Sequence, residues 1–207
     1  VPLVVPEINA HTIAKHSGII ANPNCSTIGL LMALKPVHDA AKVKRVVVTT
    51  FQSVSGTGKD AIDELAGQTV ALLNFKDIEK KVYPHQIAFN CLPHIDVFLE
   101  DGYTKEEQKM VDETKKIMGD DSIAVTATCV RVPVQNGHSE SVNLQFTRPL
   151  SVQRAREILA AAPGVKLVDS PADKAYPMPI EASGQDDTYV GRVRHDPTAE
   201  NALNLWV

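Results

Sequence analysis

Short runs rich in Val, Ile and Thr, set between longer segments with helical spacing, confine this chain to an α/β architecture. The runs are Gly18–Ala21, Arg45–Phe51, Ile123–Val130, Ser141–Thr147, Val165–Val168, Tyr189–Arg194 and Ala202–Val207. Such residues fill a pleated, half-buried surface well. Ser141-Val142-Asn143-Leu144-Gln145-Phe146 alternates polar and apolar side chains, which predicts a sheet with one wet face. The helical segments are Ser26–Ala41, Lys59–Asn74, Thr104–Met118 and Ser151–Ala162. Pro36 lies inside the first and predicts a kink or an early end. Thr104-Lys105-Glu106-Glu107 has the form of a capping box, Gly119 suits a stop, and Ser151 suits a cap. Lys76–His85 is charged and irregular, and reads as a surface loop. Together these segments predict an α/β (α+β) fold in a single domain, residues 1–207, with one mixed sheet and helices on one face.

Charge and cysteine usage narrow the function classes. A net charge of −4 leaves no electrostatic case for nucleic acid or an anionic membrane, and no apolar run approaches the length of a membrane span. The opening Val1-Pro2-Leu3-Val4-Val5-Pro6 lacks a basic region and a Met, so it reads as a chain entered partway rather than as a signal peptide. Three scattered cysteines without a CxxC pair predict neither a disulfide framework nor a metal site, and point to a reducing, cytoplasmic setting.

Among those cysteines, Cys25 stands apart. It follows the turn Asn22-Pro23-Asn24 and precedes the helix-start residues Ser26 and Thr27. That places the thiol at a helix N-terminus, where exposed N–H groups and the helix dipole predict a lowered pKa and a nucleophile. Cys91 and Cys129 sit in apolar, strand-like runs and are expected to be buried. Three other segments carry polar groups at strand ends or turns. Gln52 closes an apolar strand ahead of Ser53-Val54-Ser55-Gly56. Arg131 follows Ile123–Val130 directly, where a buried guanidinium expects a carboxylate partner. His138 follows the Gly137 turn and suits a general base. Glu113 and Lys116, three apart, share a helix face and taken alone read as a solvated ion pair. Gly56-Thr57-Gly58-Lys59-Asp60-Ala61 fits a loose dinucleotide-loop pattern, but no first βα unit surrounds it, and a Walker motif fails at Ser53 and Asp60.

Taken together, Asn22–Thr27, Phe51–Gly58, Glu113–Ile117 and Arg131–Val134 with His138 resemble the aspartate-β-semialdehyde dehydrogenase family in order and spacing. Val1–Asn9, Pro84–Asn90, Ile95–Phe98 and Val190–Arg194 extend the likeness over nearly the whole chain. The resemblance implies a glyceraldehyde-3-phosphate-dehydrogenase-like C-terminal domain with a mostly antiparallel sheet. It implies NADPH-dependent reduction of β-aspartyl phosphate to aspartate semialdehyde and phosphate, an early step toward lysine, methionine and threonine. In that reading Cys25 is the nucleophile that forms a thioacyl intermediate, His138 the acid/base, and Gln52 the group orienting the acyl intermediate. Arg131 takes the substrate α-carboxylate, Glu113 its α-amino group and Lys116 the phosphate, with Asn24 beside the nucleophile. Ser55 and Gly56 lie toward the nicotinamide of NADP, whose other contacts belong to a nucleotide-binding domain this chain lacks. The resemblance also implies a homodimer.

Two other readings compete. An N-acetyl-glutamyl-phosphate reductase shares the architecture, but usually has Gly where this chain has Asn24, and its substrate lacks the free α-amino group that Glu113 suits. A non-catalytic self-association module would not need Cys25, Gln52, Arg131 and His138 together.

Overall fold

The computed structural model describes residues 1–207. Six strands form one sheet in the order β2-β1-β3-β6-β5-β4. They are β1 (Val43–Gln52), β2 (Ala124–Arg131), β3 (Ser139–Phe146), β4 (Val165–Leu167), β5 (Thr188–His195) and β6 (Ala202–Trp206). The β2–β1 and β4–β5 pairs are parallel, and β1–β3, β3–β6 and β6–β5 are antiparallel. The sheet is thus mixed and mostly antiparallel. Along β1, Val46, Val48, Thr50 and Gln52 are buried while the residues between them are half-buried. The same alternation in β3 buries Val142, Leu144 and Phe146. One face is therefore covered and the other half-open.

Helices α2 (Cys25–Ala41), α4 (Lys105–Met118) and α5 (Val152–Ala160) contribute to one core of 26 buried residues with the covered face. Helix α2 runs through Pro36 rather than ending there. Leu30, Leu31, Ala33, Leu34 and Val37 are all fully buried, and that burial outweighs the hydrogen bond lost at the proline. Thr104 and Glu107 close the capping box of α4, and Gly119 ends it in the left-handed conformation at φ 64°. Ser151 caps α5 by accepting from the Arg154 N–H. A short α1 (Pro6–Asn9) and a 3₁₀ turn (Ala10–Lys15) precede the main elements, and α6 (Pro179–Ala182) lies between β4 and β5.

Helix α3 (Lys59–Leu73) packs elsewhere, on a second cluster of six buried residues that includes Leu65, Ile87 and Leu92. Two expectations fail around the periphery. Gly18–Ala21 is not a strand: it makes one isolated parallel bridge, Leu3 with Ala21, and Ile19 and Ile20 stay exposed because no sheet edge or core lies against them. Cys91 is exposed, not buried. Ile87 and Ala88 go inward, but Phe89 adopts φ 59° and turns the chain out, so the run is loop rather than strand. Cys129, by contrast, is fully buried on β2.

Candidate active site

Cys25 is the first residue of α2, and Asn24 is its N-cap. The Asn24 Oδ1 accepts from the backbone N–H groups of Ser26 at 3.0 Å and Thr27 at 3.1 Å, the arrangement a helix start requires. Helix α4 clamps this cap from the side. Glu113 Oε2 accepts the Asn24 backbone N–H at 2.8 Å, and Glu106 Oε1 accepts Asn24 Nδ2 at 2.6 Å. The two glutamates are two helical turns apart and so share one face of α4.

His138, in the turn before β3, brings Nε2 to 3.2 Å from the Cys25 Sγ. Its Nδ1 accepts the Ser53 backbone N–H at 3.1 Å and lies 3.0 Å from the Ser53 Oγ. A backbone N–H has only a hydrogen to offer, so the neutral ring carries its own proton on Nε2, directed at sulfur. Burial, helped by the Arg131 charge, lowers the His138 pKa to about 4, so the ring is neutral at pH 7. The resting histidine is a hydrogen-bond donor to sulfur rather than a base waiting for the thiol proton.

The expectation for Cys25 itself is reversed. Its residue is exposed, but the surrounding walls withdraw water from the thiol, and with the Glu106 charge they raise its pKa above the ordinary value. The N–H groups of the helix start and Arg131 act the other way and are outweighed. The helix-terminus argument had the correct sign for its own contribution and missed the larger one.

Gln52 ends β1 and is 1% exposed. Its Nε2 donates to Glu106 Oε1 at 3.2 Å and lies 3.4 Å from Thr50 Oγ1. Arg131 ends β2 and pairs with Gln52 across the parallel ladder. No carboxylate of the chain meets it, which leaves the substrate as the expected partner: Nη1 donates to the Ser53 carbonyl at 2.6 Å, and the buried Nε has no partner. The guanidinium therefore retains donors for an incoming anion. Gly56 is what lets these groups converge. A Cβ there would sit 3.1 Å from Arg131 Nη1 and 3.2 Å from His138 Cε1. Ser55 Oγ lies 3.0 Å from Ser53 Oγ and donates to Asn136 Oδ1 at 3.1 Å.

Cys25, Ser55, Gly56 and His138 line a cleft of about 460 Å³ that extends to Asp186, Asp187 and Tyr189 and contains no Lys or Arg. Glu140 also lines it, fully desolvated, with a pKa well above the usual carboxylate range and Oε2 unpartnered. Lys116 is not part of this group. It is exposed and lines a separate depression with Val1, Pro2, Leu3 and Lys15. Sequence reasoning missed Glu106 and Ser53. Glu106 was read only as part of the capping box, which Glu107 closes; its seven-residue spacing to Glu113 was the one available signal. Ser53 acts mainly through its backbone, which leaves no signal in residue type.

Residues 34–207 match the family described as "Semialdehyde dehydrogenase, dimerisation domain". The chain is 56% identical over 210 residues to an aspartate-semialdehyde dehydrogenase of Aquifex aeolicus, covering 100% of this chain and 62% of that protein. It is 49% identical over 214 residues to the Bacillus subtilis enzyme of the same name, with the same coverage of each. The chain thus spans about three fifths of the length of these relatives. Among solved structures, aspartate semialdehyde dehydrogenase II of Vibrio cholerae complexed with ASA superposes with a TM-score of 0.96 at 50% identity, covering 99% of this chain and 61% of that one. The Candida albicans enzyme with NADP superposes at 0.68 and 25% identity, covering 99% and 61%. The shared architecture is the glyceraldehyde-3-phosphate-dehydrogenase-like C-terminal domain. A sheet, a helix-start cysteine and a sequence match that agree over most of the chain lead to one conclusion: it belongs to the semialdehyde dehydrogenase dimerisation-domain family.

Proposed function

We propose that this chain is the catalytic and dimerisation part of an aspartate-semialdehyde dehydrogenase, a cytoplasmic oxidoreductase that turns β-aspartyl phosphate into aspartate β-semialdehyde and phosphate on the route to lysine, methionine and threonine. The observation that carries this reading is the 3.2 Å approach of His138 Nε2 to the Cys25 Sγ at the start of α2, with Gln52 and Arg131 on adjacent strand ends. The names of the relatives, and the neighbour complexed with ASA, support the same substrate class.

The residues divide the chemistry as follows. Arg131 meets the substrate α-carboxylate with its unused donors, and the second oxygen of Glu113 meets the α-amino group. Cys25 Sγ attacks the acyl carbon, and the C–O bond to phosphate breaks. The phosphate leaves with that electron pair and takes up the thiol proton. Gln52 orients the resulting thioester. NADPH, when bound, would supply the hydride that reduces this thioester. The tetrahedral oxyanion collapses, the C–S bond breaks and the aldehyde departs; the Cys25 thiolate, held by a hydrogen bond from the Nε2–H of His138, takes a proton back from solvent. Lys116 is assigned to phosphate by the family resemblance alone.

The cleft fits only one end of the dinucleotide. Gly56 and Ser55 line the cleft with Cys25, and the missing side chain at 56, which would press on Arg131 and His138, leaves room for the flat dihydronicotinamide ring, while the lining offers no cation to a pyrophosphate. The isolated chain is therefore expected to bind NADP weakly and to turn over negligibly; a rate typical of full-length enzymes from these 207 residues would overturn that part. The half-open sheet face, where Phe51 meets Trp206 at 5.4 Å, is the proposed homodimer surface.

The test is acyl transfer without reduction. Incubation with β-aspartyl phosphate in the absence of NADPH, followed by peptide mass spectrometry, is expected to find a hydroxylamine-sensitive aspartyl adduct on Cys25 and none on Cys91 or Cys129. Equal labelling of Cys25 and Cys91 would refute the assignment.

A further inference from the structure

Glu106 is 6% exposed, yet it is neither a capping group nor a substrate ligand in the scheme above. Its carboxylate gathers three nitrogen donors from three elements. Oε1 accepts from Asn24 Nδ2 ahead of α2 at 2.6 Å and from Gln52 Nε2 at the end of β1 at 3.2 Å. Oε2 takes a longer contact, 3.4 Å, from Lys109 Nζ one turn along α4. Both amides can present nitrogen to Glu106 in only one of their two flips. For Asn24 that choice turns Oδ1 toward the Ser26 and Thr27 N–H groups, as the cap needs. One oxygen atom thereby joins the cap of the nucleophile's helix to the amide beside the reacting carbon.

Resting on the functional reading above, we propose that Glu106 is a positioning residue: its carboxylate holds Asn24 and Gln52 as one unit, so that Cys25 and the acyl-orienting amide keep a fixed separation. The charged and titratable groups around this unit are Cys25 at the start of α2, Arg131 and Cys129 on β2, His138 before β3, Lys109, Glu107 and Glu113 on α4 itself, the last accepting the Asn24 backbone N–H, and Asp96, which pairs with Lys109. A Glu106→Gln change keeps one acceptor oxygen while removing the charge. A Glu106→Ala change removes both.

Two measurements test the proposal. The first is a double-mutant cycle between Glu106→Ala and Gln52→Ala in the full-length enzyme, reading kcat and KM. If Glu106 acts through Gln52, each single change lowers kcat about tenfold or more with KM nearly unmoved, and the double variant loses no more than the worse single one. Additive losses would overturn the proposal. The second is the pH dependence of iodoacetamide alkylation at Cys25, with exposed Cys91 as internal reference, which works even if Glu106→Ala folds poorly because Glu106→Gln suffices. Removing the Glu106 charge is expected to move the Cys25 midpoint down and to raise its rate about threefold at fixed pH below that midpoint. An unmoved Cys25 profile in a folded Glu106→Gln protein would show that the carboxylate is not held at the site. The functional reading fails separately, if wild-type Cys25 forms no aspartyl adduct at all.

Discussion

The two buried clusters of this molecule are held together by different physics. The main one encloses 26 residues between the sheet and α2, α4 and α5, and apolar area does the work. The lobe around α3 buries six residues, too few to shape the irregular chain that crosses it. There, side chains of α3 take over. Gln68 Oε1 accepts the backbone N–H groups of Ile87 at 2.9 Å and Ala88 at 3.2 Å, and Glu64 Oε2 accepts those of Lys81 and Val82 at 2.6 Å each. These N–H groups have no ladder to join, so a helix lends them acceptors. Where apolar burial is plentiful, acids such as Glu106 and Glu113 are left free to organise a reactive centre. Where it is scarce, the acid and the amide are taken up in holding the chain. The candidate site lies on the seam, since Ser53–Gly56 ends the first region and leads into the second.

Several changes would break or sharpen this contrast. The largest effect is expected from Phe146→Ala in the main core, about 3–5 kcal/mol of stability in a denaturant titration that follows the sheet. Gln68→Ala strands two buried N–H groups and is expected to cost about 1–3 kcal/mol. Its effect should stay local: the 76–98 segment becomes sensitive to protease while hydrogen exchange at Cys129 is unchanged. Loss of protection at Cys129 as well would mean that the two regions unfold as one, and the contrast would fall. At the seam, Gly56→Ala pushes a methyl group against Arg131 and His138 and is expected to lower kcat/KM of the full-length enzyme about tenfold, with little change in melting temperature. A further effect is one of pH. His138 holds its proton less tightly in the fold than unfolded, about 4 against 6.5, so the unfolded state binds more protons in that window. Stability should therefore fall as pH drops from about 6.5 to about 4, and His138→Gln should flatten that part of the profile.

Local rules made much of this fold legible. Six of the seven strand runs, the Thr104 box, the Gly119 stop and the cap role of Ser151 are each decided within a few residues, and each holds. Gly18–Ala21 looked like a strand because its composition is right, but pairing needs a neighbour that only the tertiary structure can supply. Cys91 failed for a similar reason: its apolar neighbours are divided between the inside and outside of one loop. The family resemblance identified Cys25, Gln52, Arg131 and His138 as a set, and the fold brings these four together. Lys116 shares a helix with Glu113, yet lines a different depression. Glu106 escaped because nothing in its local sequence distinguishes a carboxylate that faces water from one that gathers amides from two other elements.

The hydrogen bond from the Ser53 main chain to His138 bears on how this site is inherited. The position of the imidazole proton is written in the backbone, at the end of a strand whose register is held on both sides. A side chain at 53 can be exchanged without erasing that instruction, because every residue except proline carries the same N–H. Ser53→Ala should keep the tautomer, whereas a one-residue slip of β1 would lose it along with the whole inward row of side chains. Drift in residue type and preservation of chemistry are therefore compatible at this position, and the fold, rather than any one residue, is what lineage must conserve there.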